Sequence, residues 1–337
     1  MTRAAGAITK AKQENGRMGV VVHSYAKRWG HEGKSKKYPG FHTAIDLLDH
    51  CQSIGAGGVQ VMVEGWSRDF ANKVRERREK YNMYLEGSVR LPKNKDDLGR
   101  FETEVTHAKE AGAGVLRTVC LSGRRYETFR TKEDFISFQK QSLLSLQLAE
   151  PVVKKHKVSL AVENHKDWRA PELVEILKKI ESEWVGVTLD FGNSISLLED
   201  PMEVVNTLGP YVMSTHVKDM AVKEHEEGFL LSGVPLGIGA LDLDAIVNIC
   251  RSHNPGIRFS LEMITRDPLK VPCLDDAYWA TFEDVNGLDL ARTLRWVRKT
   301  EGKAPYVNHL SDEERLQKEE ENVLTSLAYS REKLGME

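Results

Sequence analysis

The sequence predicts an α/β chain folded as a (β/α)8 TIM barrel, and three observations lead there. Eight short β-type runs alternate with segments of helical spacing along the 337 residues, the grammar of a parallel sheet with crossover helices. The last four runs each stop at a side chain able to bind a metal: Glu163, Asp190, His216 and Glu262. A buried strand does not carry such a carboxylate without a partner. The steps from 163 to 190, 190 to 216 and 216 to 262, of 27, 26 and 46 residues, suit strand-plus-helix units. Finally, the first run opens into His23-Ser24-Tyr25 and not into the Gly-rich phosphate turn of a doubly wound open sheet.

A polar lead covers residues 1–17, the barrel is expected over 18–298, and a helical extension follows over 299–337. Met18–Val22 is the first strand, and Thr43–Ser53 its helix, with Leu47, Leu48 and Cys51 on one face and Gly55 as its stop. Gly58–Glu64 with Phe70–Lys80, Tyr84–Ser88 with Lys95–Ala111, and Val115–Cys120 with Ser142–His156 repeat the unit. Strands five to eight are Val158–Glu163, Val185–Asp190, Tyr211–His216 and Arg258–Glu262. Between them lie helices at Pro171–Glu181, Pro201–Leu208 and Asp242–Cys250; proline suits a first turn, whose backbone donors are unpaired anyway. Leu290–Val297 reads as the last barrel helix. Ser311–Lys333, a charged helix with Leu316, Val323, Leu324 and Leu327, clasps either the barrel or a second subunit, so a homo-oligomer stays open.

Two insertions, Ala221–Gly239 and Thr265–Asp289, follow strands seven and eight. Connections this long are uncommon. Both fall on the face where barrels build their sites, so a lid or specificity wall is expected.

Hydrophobic residues make up 40% and charged residues 29%, which provides for a sizeable core. A net charge of -2 with well-mixed signs offers no footprint for nucleic acid or an anionic membrane. No run approaches the roughly 18 apolar residues that span a bilayer. The expected location is the cytoplasm, although Thr2–Ala7 has the small-residue character of a trimmed export signal's tail and keeps export open. Cys51, Cys120, Cys250 and Cys273 form no CxxC pair and read as reduced thiols. The expected partner is a small molecule.

Two glutamates, an aspartate and a histidine make a hard, oxygen-rich donor set, suited to Mn²⁺ first and also to Mg²⁺, Co²⁺ or Zn²⁺. Any one of them reads equally as a buried polar group satisfied by hydrogen bonds; four in register do not. Their contexts are Glu163-Asn164-His165, Leu189-Asp190-Phe191-Gly192-Asn193, His216-Val217-Lys218-Asp219 and Phe259-Ser260-Leu261-Glu262. With the stretch Pro235–Asp242, they resemble the xylose-isomerase-like superfamily of sugar phosphate isomerases and epimerases over about residues 18–298.

That resemblance implies one divalent ion on the four ligands, gripping neighbouring oxygens of a carbonyl-bearing sugar and stabilising the enediolate left by proton removal. It implies Glu163 and Glu262 as an acid/base pair flanking the substrate, Asp190 and His216 mainly as ligands, Lys218 on a substrate oxygen and Asp219 in support. Ketohexose epimerases carry a histidine three residues past the aspartate and an arginine six past the histidine. Here Asn193 and Val222 stand there, so the resemblance shifts toward the inosose-dehydratase-like and hydroxypyruvate-isomerase-neighbouring branches. Endonuclease IV shares the fold, but its three-zinc site needs histidines at earlier strand ends, where this chain has His23, Glu64, Glu86 and Arg117.

The expected function is a divalent-metal-dependent isomerase or epimerase of a keto-sugar. The alternatives are a lyase at the same site (dehydratase, decarboxylase or 3-keto-glycoside eliminase) and a non-catalytic sugar binder. Substrate contacts are expected from His23, Tyr25, Glu64, Trp66, Glu86, Arg117, His165 and Asn193, at or just past strand ends. Aromatic rings can stack on a sugar, and Arg117 can bind a carboxylate or phosphate; ordinary packing or a salt bridge competes in each case.

Overall fold

The computed structural model describes residues 16–32, 35–282 and 285–337. The stretch Thr2–Ala7 and nearly all of the polar lead lie outside them. Strands β1 (Gly19–Val21), β2 (Gly58–Met62), β3 (Tyr84–Ser88), β4 (Val115–Thr118), β5 (Ser159–Glu163), β6 (Val185–Asp190) and β7 (Val212–Val217) come first. An antiparallel hairpin follows, β8 (Asp219–His225) and β9 (Gly228–Val234), then β10 (Ser260–Leu261) and β11 (Leu269–Val271). β1 to β7 and β10 close a parallel barrel in the order β1-β10-β7-β6-β5-β4-β3-β2. Valines such as Val20, Val59, Val61, Val162 and Val187 are fully buried in it, as strands enclosed on both faces require.

Register decides where the polar strand ends meet. Asp190 pairs with His216, Ser260 also with His216, and Glu163 with Thr188. The carboxyl ends of β5, β6, β7 and β10 therefore stand side by side at one rim.

Side-chain caps set several helix starts. Thr43 accepts from Asp46 N, Thr131 from Asp134 N and Asp200 from Met202 N and Glu203 N, each satisfying donors that a first turn leaves open. The helix Lys132–His156 begins ten residues ahead of the expected Ser142. Its added turns bring Phe138 into a stack on the buried Trp168, centroids 5.1 Å apart.

The insertions are more ordered than loops. β8 and β9 pair along their whole length, and β11, from the second insertion, adds antiparallel to β9. The helix Gly287–Lys299, expected on the barrel, packs on this sheet: Val297 joins Val222, Phe229 and Leu231 in a cluster separate from the main core. The helix Asp312–Lys333 meets the barrel core instead, through Val323 and Leu327, while Leu324 points to solvent. It clasps its own chain. Glu319 accepts from the backbone amides of Lys27 (2.7 Å) and Arg28 (3.1 Å), and Arg28 Nη1 donates to Glu320 Oε2 at 2.6 Å. Leu327→Ala is expected to cost about 2–5 kcal/mol for the lost methylenes and the cavity, read from urea unfolding midpoints.

Cys51, Cys120, Cys250 and Cys273 are all free thiols. Among the described residues, no helix is long and apolar enough to cross a membrane.

Candidate metal centre and substrate pocket

Glu163, Asp190, His216 and Glu262 converge at the rim, with one ligand atom from each lying within 4.8 Å of the others. All four are buried. The β6 end is built to aim its carboxylate. Asp190 Oδ1 accepts from the amides of Gly192 (2.9 Å) and Asn193 (2.7 Å), so Oδ2 is left facing inward. Asn164 ties the ends of β5 and β6 together, donating to Asp190 O and accepting from Asp190 N.

The histidine is fixed from behind. Gln60 Nε2 donates to Glu86 Oε2 at 2.9 Å, which turns Gln60 Oε1 toward His216, and His216 Nε2 donates to it at 2.7 Å. Nδ1 is then the nitrogen that faces the cluster; burial pushes the imidazole's pKa down, but Glu262 and Glu163 outweigh it and raise it, so a bound metal would take the place of a proton there. Nδ1 lies 3.4 Å from Glu163, 3.5 Å from Glu262 and 3.8 Å from Asp190, with no hydrogen bond. Asp190 Oδ2 is a second buried atom without one: Lys218 Nζ is 2.7 Å away, an ion pair lacking hydrogen-bond alignment. A buried imidazole nitrogen aimed among three carboxylates, its other nitrogen oriented by an outer partner, is the donor arrangement of a divalent metal site. The four residues fit the group. Gln60→Leu is expected to weaken Mn²⁺ binding by roughly 10–100-fold, since outer partners of ligating histidines have effects of that size; isothermal titration of the metal-free protein measures it.

The two glutamates differ in their surroundings. Burial pushes the Glu163 carboxyl up, but the Arg117 guanidinium and His216 outweigh it and hold the group well below the ordinary carboxylate range. Arg117 grips Oε2 through Nε (2.6 Å) and Nη2, and Asn193 Nδ2 donates to Oε1 at 2.9 Å. Glu262 is also held low, with Lys218 and His216 outweighing burial. Its partners are a cation and an imidazole: Lys218 Nζ donates to Oε2 at 2.5 Å, and His23 Nδ1 lies 3.1 Å from Oε1. The His23 side chain is 37% exposed, which links that carboxylate to solvent.

A cavity of about 500 Å³ reaches the cluster at Glu262, and His23, Glu64, Arg117 and His165 line it as well. Burial, then the charge of Lys166, pushes the His165 imidazole down to about 3, so it stays neutral. Other expected contacts lie elsewhere. Tyr25 is fully buried with its hydroxyl 3.0 Å from His50 Nε2, because the chain turns into a short 3-10 helix at Val22–Tyr25. Glu86 lies beneath the cluster, where Ser214 and Gln60 donate to it. Trp66 lines a neighbouring groove. Asp219 is a scaffold: it accepts from the amides of Gly237, Gly239 and Leu241 and holds that loop, and a Cβ at Gly239 would collide with it.

Sequence reasoning passed over Lys166 and Arg266, which also line the cavity. Lys166 is buried, and its Nζ donates to an uncharged acceptor, Asn193 Oδ1, at 2.5 Å. Burial, then the nearby Lys218, pushes it down to about 7. The other cavity cations have carboxylate partners: Arg90 with Glu64, Arg117 with Glu163, Arg124 with Glu127. Among the described residues, Lys166 and Arg266 have none. The signal available was a lysine three residues past a ligand, in Glu163-Asn164-His165-Lys166.

The family model for the xylose isomerase-like TIM barrel matches residues 48–299. The chain belongs to this family. A relative within reach of sequence comparison is the 3-oxo-isoapionate decarboxylase of Pectobacterium atrosepticum, 27% identical over 251 residues, which cover 73% of this chain and 85% of that protein. Among solved structures, a xylose isomerase-like TIM barrel protein from Mycobacterium smegmatis in complex with magnesium has a TM-score of 0.58 at 14% identity, covering 82% of this chain and 97% of that one. The 3-keto-D-glucoside 4-epimerase of E. coli has a TM-score of 0.56 at 11% identity, covering 84% and 99%. At these identities the structural likeness bears on the fold alone. The proteins so matched bear the names of a 3-oxo acid decarboxylase and of sugar epimerases.

Proposed function

We propose that the protein is a divalent-metal-dependent lyase that decarboxylates a 3-oxo sugar acid through an enediolate. The observation that carries this reading is the pair of cations without carboxylate partners, Lys166 and Arg266, on the cavity wall beside Glu262. A buried lysine whose pKa burial has lowered to about 7 and whose Nζ hydrogen-bonds only an amide oxygen gains from an anionic ligand that restores its charge. The similarity to a protein named as a 3-oxo acid decarboxylase supports the same substrate class.

Held by Glu163, Asp190, His216 and Glu262, a divalent ion, Mn²⁺ or Mg²⁺, would supply Lewis-acid stabilisation of the negative charge that develops beside the carbonyl. Lys166 and Arg266 seat the carboxylate. The bond between the carboxylate carbon and its neighbour breaks, its electron pair enters the enediolate, and carbon dioxide leaves. A proton must then reach carbon. Lys218 is held charged, since Asp190 and Glu262 outweigh the effect of burial, and it stays an ammonium beside Glu262 Oε2; the proton that reaches carbon comes from solvent by way of His23 and Glu262 Oε1. Glu163, clamped by Arg117 and Asn193, remains ionised as a ligand.

A second reading, isomerisation or epimerisation, draws on the approach of Glu163 and Glu262 from two different strands to within 4.8 Å. Proton NMR in D₂O with Mg²⁺-loaded protein separates the two. A shortened product with one deuterium on the new carbon–hydrogen bond supports the lyase. Deuterium beside an intact carbonyl, in a rearranged sugar of unchanged length, supports the isomerase and overturns the primary reading.

A further inference from the structure

The substrate cavity does not end at its own wall. Met62 and Glu64, at and just past the end of β2, line it on one side and line a second groove of about 460 Å³ on the other. Trp29, Trp66 and Phe70 form the floor of that groove, and His42 stands at its edge. Local structure sets the rings in place. Gly65 has a φ of +74°, a left-handed turn that residues with a Cβ disfavour, and it redirects the chain so that Trp66 returns over the barrel. Phe70 meets it edge-on, centroids 5.4 Å apart. Trp29 is held by its amide on Tyr25 O and by a bridge to Phe41. Each of the three rings is partly buried on the main core and keeps a free side toward the groove.

Half-buried aromatic rings whose free faces line a groove beside a polyol site are costly to leave bare in water and match the apolar face of a pyranose. We infer that the groove floored by Trp29, Trp66 and Phe70 is a second sugar subsite, continuous with the metal centre, and that the physiological substrate is a glycosylated sugar acid. The acid head occupies the cavity over Glu262, and a pyranose ring attached to it crosses Met62 and lies on the aromatic floor. Glu64, paired to Arg90 at the boundary, offers its carboxylate to hydroxyls of either unit. The inference rests on the proposed function for the position of the acid head only.

Isothermal titration of the Mg²⁺-loaded protein with gluconate, cellobionate and cellobiose tests it without requiring turnover. Cellobionate is expected to bind at least tenfold tighter than gluconate. Trp66→Ala removes the gain and leaves gluconate affinity within about twofold. His42→Trp, at an exposed position, fills the groove without deleting a packed ring and has the same effect. Equal affinity for the two acids, or a gain that survives His42→Trp, overturns the subsite. Gluconate failing to bind while cellobiose binds and His42→Trp abolishes it supports the groove and removes the acid seat. Binding of neither cellobiose nor cellobionate overturns the groove itself.

Discussion

Glu262→Gln is expected to lower turnover about a thousandfold while the protein still unfolds in a single transition near the wild-type temperature. The substitution keeps the shape and deletes one of three buried negative charges that face His216 Nδ1. It also breaks the route by which His23 Nδ1, 3.1 Å from the carboxylate, exchanges a proton with anything above the cluster, and removes the charge that Lys218 Nζ meets at 2.5 Å. Positioned proton transfer contributes roughly 10²–10⁴ to a rate, and a weaker ligand set lowers metal occupancy besides. Measuring kcat at saturating Mg²⁺ isolates the proton step from the occupancy effect. Undiminished kcat there would remove Glu262 from the chemistry. Glu163→Gln makes an instructive partner: if Glu163 is a ligand only, its loss is largely recovered by raising the metal concentration, and that of Glu262 is not.

Lys166→Met and Arg266→Ala are expected to act on substrate recognition. A charge-assisted hydrogen bond contributes about 1.5–3 kcal/mol, roughly 10–100-fold in kcat/KM for each cation. Lys166 sits the deeper of the two and donates to Asn193 Oδ1, whose amide nitrogen in turn holds Glu163; its loss therefore reaches further into the cluster. The deficit belongs to anionic substrates: affinity for an uncharged keto-sugar is expected to stay within a few-fold of wild type. Equal losses for charged and uncharged compounds would show that both residues are structural and would withdraw the acid seat.

The barrel and its four metal-competent residues were legible because short continuous apolar runs and the polar side chains that end them are local signals. Each of the eight barrel strands lies within the run assigned to it or overruns it by one residue. β8 and β9 were harder to read. Their buried residues Val222 and Phe229 to Leu231 are separated by the polar run Lys223 to Glu227, and the third strand that makes them a sheet, β11, comes from a different insertion. No local pattern announces a partner 40 residues away. The same distance hid the swap of roles between the last two helices: Val297 and Val323 are equally apolar, and only the folded chain shows which of them meets the insertion sheet and which the barrel.

Within the site, residue type at a strand end was a better guide to which side chains meet at the rim than to which line the pocket. Tyr25 and Glu86 carry the right chemistry at the right places in sequence, yet one faces His50 outside the barrel and the other supports Gln60 beneath the cluster. Gln60 itself had a signal that went unused: an amide inside Val59-Gln60-Val61, on a strand buried on both faces, has to find a polar partner. Arg266 had none, since its approach to Glu262 depends on how the chain leaves β10.

The most direct test of the central claim follows a ¹³C label placed in the carboxyl group of a 3-oxo aldonic acid, with the rate compared to the spontaneous loss in buffer. The account predicts ¹³C-bicarbonate released faster than that background with Mg²⁺ present, and loss of the enhancement both on chelation and in His216→Ala. A label retained in the acid, whether unchanged or rearranged, at every metal and substrate tried would contradict it.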